Sequence, residues 1–243
     1  MRIKDACKAA GRAFGLELRR FEPVSSHTAQ MRAMLAHHAV NLVFDVGANC
    51  GQYAHELRRH VGYHGRIVSF EPMRKAHEQL RRAAAKDELW EVAERVAVGA
   101  QTGNITMNIS QNSVSSSILP LLDAHARAAP ESRYTTSEEA PLVTLDAVAP
   151  EYFRADSTAF LKIDTQGYES QVLQGALQTL ARVVGLQLEL SLVPLYAGQD
   201  LMPQLLERVR ALDFDLWGIA PTFAERDTGR MLQVDAILFR RKR

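Results

Sequence analysis

Two cysteines in 243 residues, Cys7 and Cys50, lie far apart and offer neither a disulfide framework nor a Cys-x-x-Cys metal signal. A reducing cytoplasm is therefore the expected compartment. No apolar run approaches the roughly 18 residues a membrane span needs. Lys4, Lys8 and Arg12 interrupt any apolar core near the start, so no signal peptide is expected. Charge of either sign is also lacking in excess: 29 Lys and Arg stand against 28 Asp and Glu, for a formal net charge of +1. That balance gives no general case for nucleic acid or for an acidic partner. The histidines fall at no metal-ligand spacing, there are no internal repeats, and no Pro/Gly-rich linker divides the chain.

What is there begins at residues 42–52. Leu42, Val43, Phe44 and Val46 read as a buried strand, Asp45 ends the apolar run, and Gly47 and Gly51 mark a tight turn into a helix that starts near Gln52. Such a turn lets a ligand approach the backbone at the carboxyl edge of a parallel sheet. A second apolar strand (Ile67, Val68, Phe70) ends in Glu71-Pro72. An acidic residue about 20 residues beyond the turn is placed to accept hydrogen bonds from the two hydroxyls of a ribose. An adenine nucleoside is the implied ligand. The dinucleotide pattern G-x-G-x-x-G fails, because Asn49 stands where its second glycine belongs. Asp45-x-Gly47-x-Asn49-x-Gly51 instead resembles the first motif of the class I S-adenosylmethionine-dependent methyltransferases. In that reading Asp45 faces the methionine ammonium, directly or through water, and the Gly47–Gly51 turn makes room for the sulfonium chain.

Along the chain, helices are predicted over 52–60 and 73–86, and a third strand region runs from Trp90 to Val98. Residues 104–109 alternate as a short edge strand. Residues 110–141 show no period, and a segment of that length reads as a functional loop or lid. Order resumes from Leu142 to Val148; Ala159–Ile163 is a buried strand ending in Asp164. A helix over 168–181, a strand over 183–190, a helix over 201–212 and strands over 214–219 and 232–239 complete the pattern. The last two suit an antiparallel hairpin at one edge. The alternation predicts an α/β, Rossmann-like fold: a mostly parallel seven-stranded sheet with helices on both faces. Residues 1–40 form a helical extension and 41–243 the single globular domain. Residues 1–20 place Ile3, Cys7, Ala10, Phe14 and Leu18 near one helical face, with Arg2, Lys4, Lys8, Arg12, Arg19 and Arg20 around it. A basic amphipathic helix of this kind can lie on an anionic membrane surface, at the inner face of the membrane. It can equally cover the domain or contact a second copy in a homodimer. Arg240 to Arg243 reads as a solvated tail.

Together the motifs resemble the FkbM-type methyltransferases over nearly the whole chain. The marks are Asp45-Val-Gly-Ala-Asn-x-Gly51, Ser69-Phe-Glu71-Pro72, Ala97-Val-Gly99, Leu161-Lys-Ile-Asp164-x-Gln-Gly167-x-Glu169, Gln174-Gly-Ala176, Gln187-x-Glu189 and Pro194-Leu-Tyr196. The Lys-Ile-Asp-x-x-Gly-x-Glu segment is the specific one. Gly51-Gln52-Tyr53, Ser115-Ser-Ser117, Asp164-Thr-Gln166 and Thr228-Gly-Arg230 further resemble actinobacterial, mycobacterial-like members. The sequence departs from the pattern at Gly99-Ala100 and Phe223-Ala224-Glu225. The resemblance implies S-adenosylmethionine held by Asp45, Gly47, Asn49, Gly51, Gln52, Tyr53, Glu71, Pro72 and Val98. It also implies O-methylation of a small-molecule glycoside or glycolipid acceptor, a deoxysugar of a cell-envelope glycolipid or a glycosylated natural product.

A sugar hydroxyl is a poor nucleophile, so a base or a metal should take or acidify its proton. Asp164, at the end of the fourth strand of the parallel series, is the first candidate base, and His125, alone in the irregular segment, the second. Glu189 ends the fifth strand among apolar neighbours and is a candidate for acceptor binding; with Asp164 it could hold Mg2+. Glu169 either orders the loop after Asp164 or reaches the acceptor or a metal. Tyr196, Trp217 and Phe223 could stack on sugar faces. Amine or nucleobase chemistry would call for Asn/Asp-Pro-Pro-Tyr where Asp164-Thr-Gln-Gly167 stands. The competing readings are a non-sugar hydroxyl acceptor and a non-catalytic cofactor-binding scaffold.

Overall fold

The computed structural model describes residues 3–17 and 19–241, without the side chains of residues 3, 4, 6 and 7. Its elements in chain order are α1 (Ile3–Ala13), α2 (His27–His37), β1 (Leu42–Val46), α3 (Gln52–Glu56), β2 (Arg66–Phe70), α4 (Arg74–Ala84), β3 (Trp90–Val92), β4 (Ala97–Val98) and β5 (Gly103–Ser110). There follow α5 (Asp123–Ala128), β6 (Tyr134–Val143), α6 (Leu145–Val148), β7 (Ala159–Ile163), α7 (Glu169–Gln174), α8 (Leu177–Leu180), β8 (Val183–Ser191), α9 (Met202–Ala211), β9 (Phe214–Ala224) and β10 (Met231–Arg240).

Seven strands form one sheet in the order β3-β2-β1-β7-β8-β10-β9, parallel except where β10 runs against both β8 and β9. This is the predicted α/β architecture, edge hairpin included. The central strands are apolar on both faces because both are covered. On one face Leu42, Phe44, Val46, Leu161 and Ile163 belong to the larger core cluster; on the other Val43, Ile67, Phe160 and Ile237 belong to a second.

Four expectations are corrected. The Trp90–Val98 region is two strands, β3 in the main sheet and β4 in a separate three-stranded sheet ordered β4-β6-β5. Residues 134–141, read as loop, lie in the ten-residue strand β6, which pairs antiparallel with β5. Its run Thr-Thr-Ser-Glu-Glu is mostly exposed, so no apolar alternation announces it. The 168–181 helix is broken at Gly175-Ala176 into α7 and α8. The 52–60 helix closes in a wide π turn over Leu57–Val61, with Gly62 in the left-handed conformation at its end.

At the N-terminus, the described side chains of α1 are largely exposed, and Phe14 beyond it is 82% exposed. Arg2 and Leu18, named in the amphipathic reading, lie outside the described residues, as do the side chains of Ile3, Lys4 and Cys7. At the other end Arg240 is not a solvated tail. It donates to the carbonyls of Val183, Leu212 and Leu180 and lies over the Phe214 ring. Lys242 and Arg243 lie outside the described residues.

Candidate functional site

A single strand periodicity builds the floor of the site. Residues two apart on a strand share a face, so Asp45 lies with Val43, Lys162 with Phe160, and Ser69 with Ile67. Asp45 is in register with Ser69 on β2 and with Lys162 on β7, and Lys162 with Gln187 on β8. The result is a polar row crossing the carboxyl end of an otherwise apolar sheet. Trp90 Nε1 donates to Ser69 Oγ (3.0 Å), Ser69 Oγ to Asp45 Oδ2 (3.3 Å), and Lys162 Nζ lies 3.1 Å from Asp45 Oδ1. Lys162 also donates to the Gly47 carbonyl (3.1 Å), stands 3.5 Å from Asp164 and lies over the Tyr53 ring. Tyr53 Oη donates to Gln187 Oε1, and Gln187 Nε2 to Asp235 Oδ2, both at 2.9 Å. Burial alone would lower the Lys162 ammonium, but the Asp45 and Asp164 carboxylates outweigh it and raise the group. The lysine stays charged.

Above this row lies a cavity of about 420 Å³. Gly47, Asn49, Gln52, Tyr53, Glu71, Pro72, Val98 and Asp164, all expected at the site, stand on its wall. So do residues the sequence reading did not place there: His27, Glu56, Lys162, Gln187 and Asp235. Each of the last three is a polar residue inside an apolar strand, which was the available signal.

The turn after β1 and the loop after β2 are tied by one carboxylate. Glu71, 2% exposed, accepts from the Asn49 N–H (2.7 Å) and the Met73 N–H (2.8 Å). Burial pushes its carboxyl up to about 7 in spite of those two bonds. The two glycines also serve the packing of the fold. Gly47 has φ +81°, and a Cβ there would lie 1.8 Å from the Asp164 carbonyl oxygen; at Gly51, φ +92°, it would lie 2.6 Å from the Trp90 ring. Protein backbone and side chain fill the spaces a Cβ would take. For Asp45 only the direct contact with a methionine ammonium is corrected: the residue is fully buried, off the cavity wall and held by Lys162 and Ser69, and it positions the lysine.

The loop after β7 has its own centre, Gln166. Its Nε2 donates to Asp164 Oδ1 and Glu189 Oε2, each at 2.7 Å, and its Oε1 accepts from Tyr196 Oη at 2.6 Å. An amide nitrogen thus bridges the two carboxylates proposed for Mg2+, and among the described residues no group of three or more His, Cys, Asp or Glu is arranged to hold a metal. Glu189 also accepts from Gln233 Nε2 (2.8 Å), and burial followed by the charges of Asp164 and Glu169 pushes its carboxyl up. Glu169 accepts from the N–H groups of Thr165 (2.9 Å) and Gly167 (3.2 Å), so it orders this loop and is turned away from the cavity wall. Tyr196 is 1% exposed and holds Gln166, not a sugar face.

His125 is not a base at this site. It is buried on α5 between Tyr196 and Phe223, off the cavity wall, and burial lowers its imidazole to about 4. Trp217 packs on His38 and Phe239, and Phe223 on His125; neither ring reaches the cavity. The irregular segment contributes Ser113, Val114, Ser116 and Ile118 to the wall, beside Met107 of β5.

Against known families, the model for the FkbM methyltransferase domain matches residues 45–216. No curated protein matches the chain. Among solved structures the chain is similar to an FkbM methyltransferase from Methylobacillus flagellatus, at 14% identity and a TM-score of 0.48 over 81% of this chain. The chain spans 43% of the length of that protein. It is also similar to magnesium protoporphyrin IX methyltransferase from Synechocystis, solved with bound S-adenosylmethionine, at 12% identity and a TM-score of 0.48, covering 88% of this chain and 78% of that one. An rRNA methylase from Streptococcus thermophilus gives 13% identity and a TM-score of 0.46, over 91% and 98%.

Proposed function

The chain belongs to the FkbM methyltransferase family, and from that premise we propose that it moves a methyl group from S-adenosylmethionine to a hydroxyl of a sugar, carried on a glycoside or glycolipid. The observation that carries this reading is the continuity of one cavity from Glu71 to Asp235, with Lys162 and Asp164 at its middle. The residues at the Glu71 end fit the cofactor. A carboxylate on the wall suits two ribose hydroxyls, and Val98, Met107 and Ile118 offer apolar surface to a planar base. Bound there, the cofactor supplies an activated methyl on a sulfonium.

The chain's own residues supply alignment and a proton acceptor. Holding two reactants in line can be worth roughly 7–11 kcal/mol. Asp164 directly follows β7 where the two halves of the cavity meet, its side chain one-third exposed (33%) and oriented by Gln166 and Lys162. It is the proton acceptor of this proposal. Asp164→Asn should leave cofactor-product affinity nearly unchanged and lower turnover by about 10²–10⁴, read by transfer of labelled methyl to neutral glycosides. Full turnover in that variant would remove Asp164 from the chemistry. A scaffold would bind cofactor and transfer nothing.

The described part of the N-terminus exposes Phe14 and Leu16 among Lys8, Arg12, Arg19 and Arg20. A peripheral contact with an anionic bilayer, where a lipid-linked acceptor would reside, belongs to the same proposal. No described helix is long and apolar enough to cross a membrane. Co-sedimentation with anionic but not zwitterionic vesicles, abolished in Phe14→Ser/Leu16→Ser, is the expected result.

A further inference from the structure

The near-zero net charge of the chain is divided unevenly between the two faces of the main sheet. One face is covered by α2, α3 with its π turn, and α4, through Met34, Leu57 and Leu80; the other by α6 to α9, through Leu145, Leu173 and Leu206. The first set of elements carries seven Lys or Arg against two acids, Glu56 and Glu78. The second carries Arg208 and Arg210 against Asp146, Glu169 and Glu207. A neutral protein with one basic side has a preferred side for an anionic partner.

Arg59 on the π turn, Arg74, Lys75, Arg81 and Arg82 on α4, and Lys86 just beyond it are all exposed. None of their side chains has an ion pair or hydrogen bond among the described residues. Lys75, Arg82 and Lys86 follow at i, i+7 and i+11, one stripe along the helix. Glu78 stands four residues before Arg82, the spacing at which helical ion pairs form, and the two are unpaired. Apolar side chains border this basic face: Phe21 is 57% exposed, Val24 96% and Leu89 46%. A chain of contacts joins the border to the face. Arg58 of the π turn donates to Asp87 (2.7 Å) and to the Leu89 carbonyl (3.3 Å). Arg32 of α2 donates to the His60 carbonyl (3.4 Å) and lies over the Phe21 ring.

We propose that this helix layer docks on an anionic phospholipid bilayer, the basic residues of α4 and the π turn against the headgroups and Phe21, Val24 and Leu89 entering the interface. Any anionic polymer would satisfy the guanidinium and ammonium groups. Phe21 could stack on a nucleobase, but Val24 and Leu89 gain only from an apolar phase. A bilayer supplies both phases without a fitted counter-surface. This surface is separate from the N-terminal contact proposed above and owes nothing to the identity of the acceptor. Met31, Leu57 and Val61 belong to the same layer and line the cavity, so docking places one of its walls beside the bilayer.

The test is co-sedimentation of the full-length protein with phosphatidylcholine vesicles, plain or containing about 30% phosphatidylglycerol, whose surface potential attracts basic segments. Wild type should partition to the anionic vesicles alone, and about 0.5 M salt, which shortens screening to a few ångströms, should release it. Each basic residue near such a surface is worth roughly fivefold in partition, so Arg81→Gln/Arg82→Gln should weaken binding at least about tenfold. Arg154→Gln/Arg210→Gln removes the same charge from the other side, beside Phe153 and on α9, and should stay within about twofold of wild type. Unchanged urea midpoints certify the fold of both variants, as expected of exposed side chains. Should the α4 pair lower the midpoint, Lys75→Gln/Lys86→Gln replaces it with the same expectation. Equal partition of the charge-matched variants overturns the surface, since binding then follows net charge alone. Loss in Phe14→Ser/Leu16→Ser, with the α4 variant at the wild-type level, confines the contact to the N-terminus and overturns it too. The reverse pattern removes the N-terminal contact and leaves the helix layer standing. Wild type that ignores anionic vesicles overturns the proposal, and if it binds poly(U) through Arg81 and Arg82 instead, the face belongs to nucleic acid.

Discussion

Glu71 and Glu169 close the loops after β2 and β7 in nearly the same way. Each is 2% exposed, each accepts two backbone N–H groups (Glu71 one from the turn after β1 and one from its own loop, Glu169 both from its own loop), and burial pushes each carboxyl up to about 7. By perturbed titration alone the two would be equal candidates for function. They differ in where the second face of the carboxylate points: Glu71 stands on the cavity wall and Glu169 does not. The lesson is that a buried, strained titration identifies a loop that is held tightly, and only its position on a cavity says that a ligand shares the carboxylate. The turn after β1, which Glu71 holds through the Asn49 N–H, meets the loop after β7 at Gly47, whose missing Cβ admits the Asp164 carbonyl.

The largest expected effect therefore falls at that contact. Gly47→Val puts a branched side chain into a backbone carbonyl at a left-handed φ, and neither strand end can retreat without breaking its pairing. Overpacking and backbone strain together should cost more than about 3 kcal/mol, read as a lower urea midpoint before any cofactor is added. A variant with wild-type stability that fails only in binding would restore the reading in which this space belongs to the sulfonium chain.

Replacing the two carboxylates tests the comparison itself. Either alanine leaves two N–H groups short of an acceptor, so both variants should lose about 1–3 kcal/mol of unfolding free energy. Only Glu71→Ala should also lose affinity for S-adenosylhomocysteine, by roughly tenfold or more. Equal cofactor-product affinities in calorimetry would show that the cavity wall does not distinguish them.

Proton linkage gives a somewhat smaller effect. A carboxyl held at about 7 in the folded protein, against an ordinary 4.5, binds more protons folded than unfolded between those values. Stability should thus fall as pH rises through that window, with Glu71, Glu169 and Asp235 all contributing in the same direction. Cofactor affinity should move oppositely, because the ribose hydroxyls donate to ionised Glu71. Between pH 6 and pH 8 the ionised fraction rises roughly tenfold, and affinity with it. In Glu71→Gln that slope should vanish, and in Glu169→Gln it should remain.

Much of this was legible in the sequence, for reasons that can be named. Leu42–Val46 and Ala159–Ile163 are apolar runs interrupted by one polar residue, and such runs bounded by turn residues specify buried parallel strands. Glu71 and Asp164 follow their strands directly, so their place at the sheet edge came with the strands. The direct contact expected of Asp45 failed because a strand's end does not say which face of the sheet its last polar residue takes. Its partner is Lys162, on the neighbouring strand but 117 residues away, and no local pattern announces that pairing. Asp235 and Gln187 were passed over for the same reason: each interrupts an apolar strand, and only the register makes them neighbours of the site. His125 became a candidate base because it stands alone in a segment without a period, yet Tyr196 and Phe223, from distant parts of the chain, bury it.

The smallest effect concerns residues 111–133, the part of the patternless 110–141 segment that lies between β5 and β6 and was expected to be a functional loop or lid. Its backbone is in fact paired. Asn108 and Ser117 exchange N–H···O bonds, Ser116 Oγ accepts from the Ser110 N–H, and Ser117 Oγ donates to the Gln166 carbonyl. Leu122 N–H reaches the Leu195 carbonyl, and Tyr134 Oη donates to the Leu119 carbonyl. Its wall residues, moreover, stand with Met107 on the cofactor side, and Asn49 Nδ2 lies 3.5 Å from Ser113 Oγ. The connection between β9 and β10 is the contrast: residues 226–230 are exposed, and a single turn from Glu225 to Arg230 spans them. Amide exchange follows such local differences in protection. Residues 108–122 should be protected in the free protein, and cofactor product should slow them by no more than about threefold. Residues 226–230 should exchange freely in both states. Fast exchange over 108–122 that locks when cofactor product and glycoside are both present would make the segment a lid after all, and the serine pairs a structure of the closed state only.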